Sequence, residues 1–266
     1  MRLGWVALVL YAMGLQPVRA HEFWIEPEAY VVAPDTPVVA RLKVGDRLKG
    51  ASSAYVPPNF RRFDVIVAGE VIPVQGRPGD MPALNMVVGR EGLATVVHVT
   101  RDYTLTYKDR ATFERFCDHK DIGWACAAHD GRGLDHDIVR EQYTRFAKSL
   151  VALGEGRGSD AEVGLETEIV AEANPYTDDL SDGFPIRVLY EGAPRGDAQV
   201  EVFDKSPDGT VDVRLYRTDA EGRTVVDVTP GHAYLLDAVT MLELPVQGDG
   251  PAWSSRWASL TFAVPQ

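Results

Sequence analysis

Three observations predict an all-β chain built as two β-sandwich modules of immunoglobulin or transthyretin type. Short β-branched or alternating runs recur between turn residues from Val38 onward, and about seven of them crowd into roughly the last hundred residues. Only one long stretch, residues 108–142, breaks the rhythm.

The chain opens with Arg2, an apolar run from Leu3 to about Leu15, and the small-residue end Val18-Arg19-Ala20. That pattern predicts a signal peptide over residues 1–20, cleaved to leave His21 at the amino terminus. The run is shorter than the roughly 20 apolar residues that span a bilayer, so the expected mature protein is periplasmic or secreted and not membrane-embedded. The formal charge is −12, or −14 without the leader's two arginines. An excess of acid argues against nucleic acid and anionic membranes as partners and favours cations.

The first module is predicted over 21–153. In the opening "HEFWIEP", Phe23 and Trp24 are residues that pack, and Pro27 favours an extended edge strand over a helix interior. The runs 38–44, 63–67, 83–88, 93–99 and 103–107 read as strands, with Gly and Pro between them. The excursion 108–142 carries charges, His119, His129, His136 and both cysteines, and it reads as a partly helical insertion. Cys117 and Cys126 are nine residues apart, too far for a CxxC redox pair, and in an exported chain they predict one disulfide. Residues 143–153 fit helical spacing through Tyr143, Phe146, Ala147 and Leu150, and alternation through Phe146, Lys148 and Leu150; they are assigned as the strand closing the module. Glycine and charge without apolar residues in "GEGRGSDAE" mark a linker, 154–166, ahead of the second module, 167–266. Its strands are expected at 167–171, 184–190, 198–203, 211–217, 223–228, 233–239 and 257–264, joined by "EGAP", "SPDG" and "DAEG" turns.

"AHEFWIEP", "VGDRLKG" (44–50), "EQYTRFAKSLVALG" (141–154), "NPYTD" (174–178), "TDAEGRTVVDVTPGHAYLLDAV" (218–239) and "WSSRWASLTF" (253–262) together resemble a family of exported bacterial domains of unknown function. That family is grouped with periplasmic components of cobalt and nickel uptake systems, NikM-like or CbiK-like. The resemblance implies two β-sandwiches, a periplasmic location, a nickel or cobalt ion as ligand, and an envelope metal transporter as partner. Thr240 stands where such relatives are expected to carry a histidine.

An amino-terminal His21 would offer its α-amine and its ring to one metal, and imidazole suits copper as well as nickel and zinc. His98, inside "LATVVHV", is the first candidate for a second ligand, with Glu22 and Glu26 as carboxylate options. His232, in a Pro-Gly-His turn, reads as a solvated residue, and the excursion's His and Asp spacings match no standard zinc pattern. Catalytic signatures are missing: Ser254 and Ser255 lack a G-x-S-x-G context, and there is no H-E-x-x-H helix or phosphate-cradling glycine loop. The expectation is therefore a non-enzymatic metal-binding protein. Two alternatives stay open: a copper histidine-brace oxidative enzyme, and a structural or interaction module without metal.

Overall fold

A computed structural model describes residues 21–266, so the predicted signal peptide lies outside the described residues. The first half contains strands β1 (Glu22–Pro27), β2 (Val31–Val32), β3 (Val38–Asp46), β4 (Lys49–Ser53), β5 (Phe60–Val67), β6 (Glu70–Pro73), β7 (Leu84–Met86), β8 (Gly92–Thr100) and β9 (Tyr103–Thr106). Helices α1 (Arg110–His119) and α2 (Gly123–Gly131) follow, and then the long strand β10 (Arg140–Leu153). The second half contains β11 (Thr167–Ala171), β12 (Phe184–Tyr190), β13 (Ala193–Pro194), β14 (Gln199–Lys205), β15 (Val211–Arg217), β16 (Arg223–Val226), β17 (Ala233–Glu243) and β18 (Trp253–Ala263).

The all-β sandwich is present, and the partly helical excursion with its Cys117–Cys126 bridge is present within it. Several boundaries differ from expectation. The excursion ends at Val139, because Arg140, Glu141 and Gln142 already pair with β9. The run 83–88 forms a strand only over Leu84–Met86. The last two long strands reach further, to Glu243 and back to Trp253, where they pair with each other over their whole length. The ambiguous stretch after 142 is a strand, since β10 has neighbours on both sides that satisfy its backbone.

One sheet of ten strands runs through both halves in the order β15-β14-β17-β18-β10-β8-β5-β6, with β2 and β9 also pairing β10. The halves meet where β10 lies parallel to β18, from Glu141 opposite Trp253 to Ser149 opposite Thr261. A small sheet of β1, β3, β4 and β7 and another of β11, β12, β13 and β16 complete the architecture.

Strand alternation places these small sheets on opposite faces of the large one. On β10, Ala147 and Val151 enter the core beneath β1 and β3, whereas Leu150 enters the core beneath β11 and β12. On β18, Ala258, Leu260 and Phe262 face the second core. The intervening Ser259 and Thr261 donate their hydroxyls to the carbonyls of Phe23 and Ile25, at 2.8 and 2.7 Å. The edge strand β1 is thus pinned to the central sheet by side chains as well as by its pairing with β3.

Segment 154–166 carries no strand. The buried Lys148 ammonium donates to Asp160 at 2.8 Å and to Glu168 at 2.9 Å. Asp160 also accepts from Thr95 Oγ1 and the Ala171 amide, and Glu168 accepts from the amides of Val163 and Leu165. Both carboxylates of this cluster are fully partnered, which is what burying charge requires.

Another buried carboxyl, Glu141, accepts hydrogen bonds from Tyr107 and Ser255, and Trp257 Nε1 donates to the same Ser255 hydroxyl at 2.8 Å. Burial pushes its pKa up from 4.5 to about 7, against the opposing pull of those two hydroxyls and of Arg145. The folded chain therefore holds a proton that the unfolded chain has lost between about pH 4.5 and about pH 7, and this carboxyl's contribution to stability falls across that window as pH rises. Glu141→Gln keeps the neutral form at every pH. Its melting temperature relative to wild type is expected to rise by a few degrees between about pH 5 and about pH 8, as measured by calorimetry in matched buffers.

Candidate functional site

The site begins with how β1 lies on the central sheet. Its Phe23 and Ile25 enter the first core, so Glu22 and Trp24 point to the other side. Trp24 packs on Phe203 and Leu235, which are opposite each other on β14 and β17. Two residues back, Glu22 meets Glu201 and Asp237, also opposite each other, in a cluster organised by Lys120.

Lys120 arrives from the excursion. Asp109 caps the start of α1 by accepting from the Thr112 amide at 2.7 Å, and the helix ends at Lys120, whose amide donates to the Phe116 carbonyl. The Cys117–Cys126 bridge ties this end to α2. Gln199 donates to the His119 carbonyl at 2.8 Å, and Arg217 pairs with Asp121, so the turn is docked on β14 and β15. The Lys120 ammonium then lies 2.9 Å from Glu22 Oε1, 2.6 Å from Glu201 Oε2 and 3.0 Å from Asp237 Oδ2, with the Trp257 ring 5.1 Å away. His119 Nε2 lies 2.8 Å from Glu201 Oε1.

Three carboxylates around one buried ammonium are not fully matched. Glu22 Oε2 and Asp237 Oδ1 are buried and have no hydrogen-bond partner, unlike every carboxylate oxygen of the Lys148 cluster. Burial raises the pKa of Glu22 and of Asp237 despite Lys120. For Glu201, burial is outweighed by His119 and Lys120 together, and its pKa falls. The Glu201 contact raises the pKa of His119, and the three surrounding carboxylates raise that of Lys120 against its own burial.

Among the described residues, one group of three side chains offers ligand atoms that all lie within 4.8 Å of one another: Glu22, His119 and Glu201. Half of the His119 side chain is exposed, whereas Glu22 and Glu201 are buried, so the group has an open side. Two carboxylates and an imidazole suit a divalent transition metal by donor type.

The ligands proposed from sequence are scattered around this point. Glu22 belongs to the group. His21 is its chain neighbour; its carbonyl accepts from Arg145 Nη2 at 3.0 Å, and its Nδ1 is buried without a partner. His98 is buried among the rings of Phe23, Phe60 and Phe63, where desolvation lowers its pKa to about 3. Glu26 lies further along β1 and pairs with Lys43 at 3.8 Å. Neither His21, His98 nor Glu26 joins a three-ligand group among the described residues.

The excursion's histidines divide by surroundings. His129 accepts from Trp253 Nε1 at Nδ1 and donates from Nε2 to the Asp135 carbonyl, a satisfied core histidine. His136 is exposed beside Asp137, which leaves His119 as the one that reaches the cluster. His232 is not simply solvated: its Nδ1 lies 2.6 Å from Asp204. Glu201, Asp237 and Lys120 escaped sequence reasoning. The available signal was an acid inside each of two apolar runs, "AQVEVF" and "AYLLDAV", where a buried charge demands a partner.

The cluster's asymmetry has a measurable consequence. Lys120→Met leaves three buried carboxylates uncompensated and is expected to cost about 3–5 kcal/mol in chemical unfolding. Asp237→Asn retains an acceptor for Lys120 and leaves the ammonium paired with Glu22 and Glu201. It is expected to change stability by less than about 1 kcal/mol in the same assay.

Comparison with known proteins adds a family. A curated relative from Halalkalibacterium halodurans, described as the uncharacterized isomerase BH0283, is 26% identical over 171 residues; the match takes in 58% of this chain and 62% of that protein's length. The chain therefore spans somewhat under two thirds of the curated relative it matches. Among solved structures, a tetra-tandem repeat from the extending region of a large adhesion protein aligns with 91% of this chain and 49% of its own, at a TM-score of 0.22 and 12% identity. The D0-D1 domain of intimin aligns with 90% of this chain and 97% of its own, at 0.24 and 12% identity. The model of the family described as Domain of unknown function (DUF4198) matches residues 18–241, most of the chain, and the protein belongs to that family.

Proposed function

We propose that this protein is an exported, non-enzymatic carrier that binds one divalent transition-metal ion, nickel or cobalt with copper as the alternative, and delivers it as cargo to an envelope metal transporter. The observation that carries this reading is the convergence of Glu22, His119 and Glu201, brought together by β1, the end of α1 and β14. Their nitrogen and oxygen donors match the borderline divalent metals, and the open side at His119 gives such an ion a way in. His21 is the chain neighbour of Glu22, and its buried Nδ1 has no partner, which keeps it as a secondary ligand candidate in this reading. The acidic net charge favours approach of a cation. The resemblance to uptake-system components supports the nickel and cobalt assignment, the exported location and the transporter partner.

Calorimetric titration of metal-stripped protein, produced with its own leader, with nickel, cobalt, copper and zinc tests the reading. One ion per chain, bound at about micromolar affinity or tighter, is expected. His119→Ala removes a half-exposed ligand without touching the core and is expected to weaken binding at least about tenfold, a loss of about 1.4 kcal/mol or more. His21→Ala is expected to weaken it less. Loss of binding in His21→Ala with His119→Ala unaffected would move the site to the chain terminus, and wild-type protein that binds none of the four metals would remove the carrier reading.

A further inference from the structure

Lys120 divides the oxygens of the two carboxylates into those it holds, here called inner, and those it leaves to other partners. It takes one oxygen from each, Oε1 of Glu22 and Oε2 of Glu201. The other oxygens are differently occupied: Glu22 Oε2 is buried with no partner, and Glu201 Oε1 meets His119 Nε2 at 2.8 Å. Asp237 is 2% exposed; it gives one oxygen to Lys120 and keeps the other unpartnered. It contributes no atom to the three-ligand group.

A bare ammonium beside a metal site would repel the incoming dication, and two buried carboxylates with no donor between them would repel each other and lose their fixed geometry. An ammonium with its own counter-ion avoids both outcomes. The charge of Asp237 offsets that of Lys120, while the N–H groups of Lys120 hold Glu22 and Glu201 in place. Arg145 and Arg195 also act on Asp237 electrostatically, but their guanidinium groups donate to the carbonyls of His21 and Val239.

We infer that Lys120 and Asp237 are positioning residues of the metal site: the ion binds through Glu22 Oε2, Glu201 Oε1 and His119 Nε2 while Lys120 stays in place on the inner oxygens. This rests on the proposed metal-binding function and adds that metal and Lys120 bind together and do not compete.

The test uses full-length processed protein, with nickel as the probe, and three measurements. Lys120→Met is expected to weaken nickel binding at least about tenfold. Asp237→Asn leaves all three ligands and folds without a buried uncompensated acid, so it decides the matter even if the lysine variant does not fold; it is expected to weaken binding several-fold because Lys120 loses the one counter-charge that does not also ligate the ion. In wild type, Lys120 is 4% exposed, and its acetylation by an amine-reactive reagent, followed by mass spectrometry, is expected to stay slow when nickel is bound. Nickel-induced labelling of Lys120, or binding by either variant that equals or exceeds wild type, would overturn the inference and leave the carrier function standing. Failure of wild type to bind nickel or any of the other three metals would overturn both.

Discussion

The burial of one ammonium among three carboxylates ties together elements from both ends of the chain. Lys120 bonds Glu22 of β1, Glu201 of β14 and Asp237 of β17 from the end of α1. Each partner comes from a different part of the chain, so the contact exists only when the first strand, the helical insertion and the second half of the sheet are all in place. Charges taken out of water are costly unless paired closely, and the alternative arrangements of these elements would leave one of them bare. The docking of the excursion follows from this constraint, and Gln199 and the Arg217–Asp121 pair reinforce it from the side.

The Lys120 and Lys148 clusters differ in how completely their acids are partnered. Both clusters bury a lysine against acids. Around Lys148, backbone amides and Thr95 complete the acceptors, and the result is a staple that holds segment 154–166 against β10 and β11. Around Lys120, two oxygens remain without a partner, and the half-exposed His119 forms one wall. An unsatisfied buried oxygen beside an accessible imidazole is a poor way to build a core and a reasonable way to wait for a cation. The proposed metal site therefore lies in this cluster and not around Lys148, which is buried as deeply.

The central sheet explains why the site can be rigid. Because β10 and β18 are parallel neighbours, the strands of both halves lie in one layer, and β1 crosses part of it with Trp24 seated on Phe203 and Leu235. A strand held by paired hydroxyl contacts from Ser259 and Thr261 cannot shift register without moving Glu22 out of reach of Lys120.

Much of the local structure was legible in the sequence. Alternating apolar runs and turn residues marked most of the long strands, a pair of cysteines behind an export leader predicted one bridge, and the packing residues Phe23 and Trp24 with Pro27 marked β1 as an extended edge strand. The tertiary structure alone decided the rest. Period-two alternation tells which residues share a face of one strand but not which strand lies across it. That Glu22 meets Glu201 and Asp237 while His98 lies in an aromatic nest depends on how the small sheet crosses the large one. The decisive residue, Lys120, reads in sequence as one more charge in a polar loop, because its burial is created by partners far along the chain that pairing brings to it.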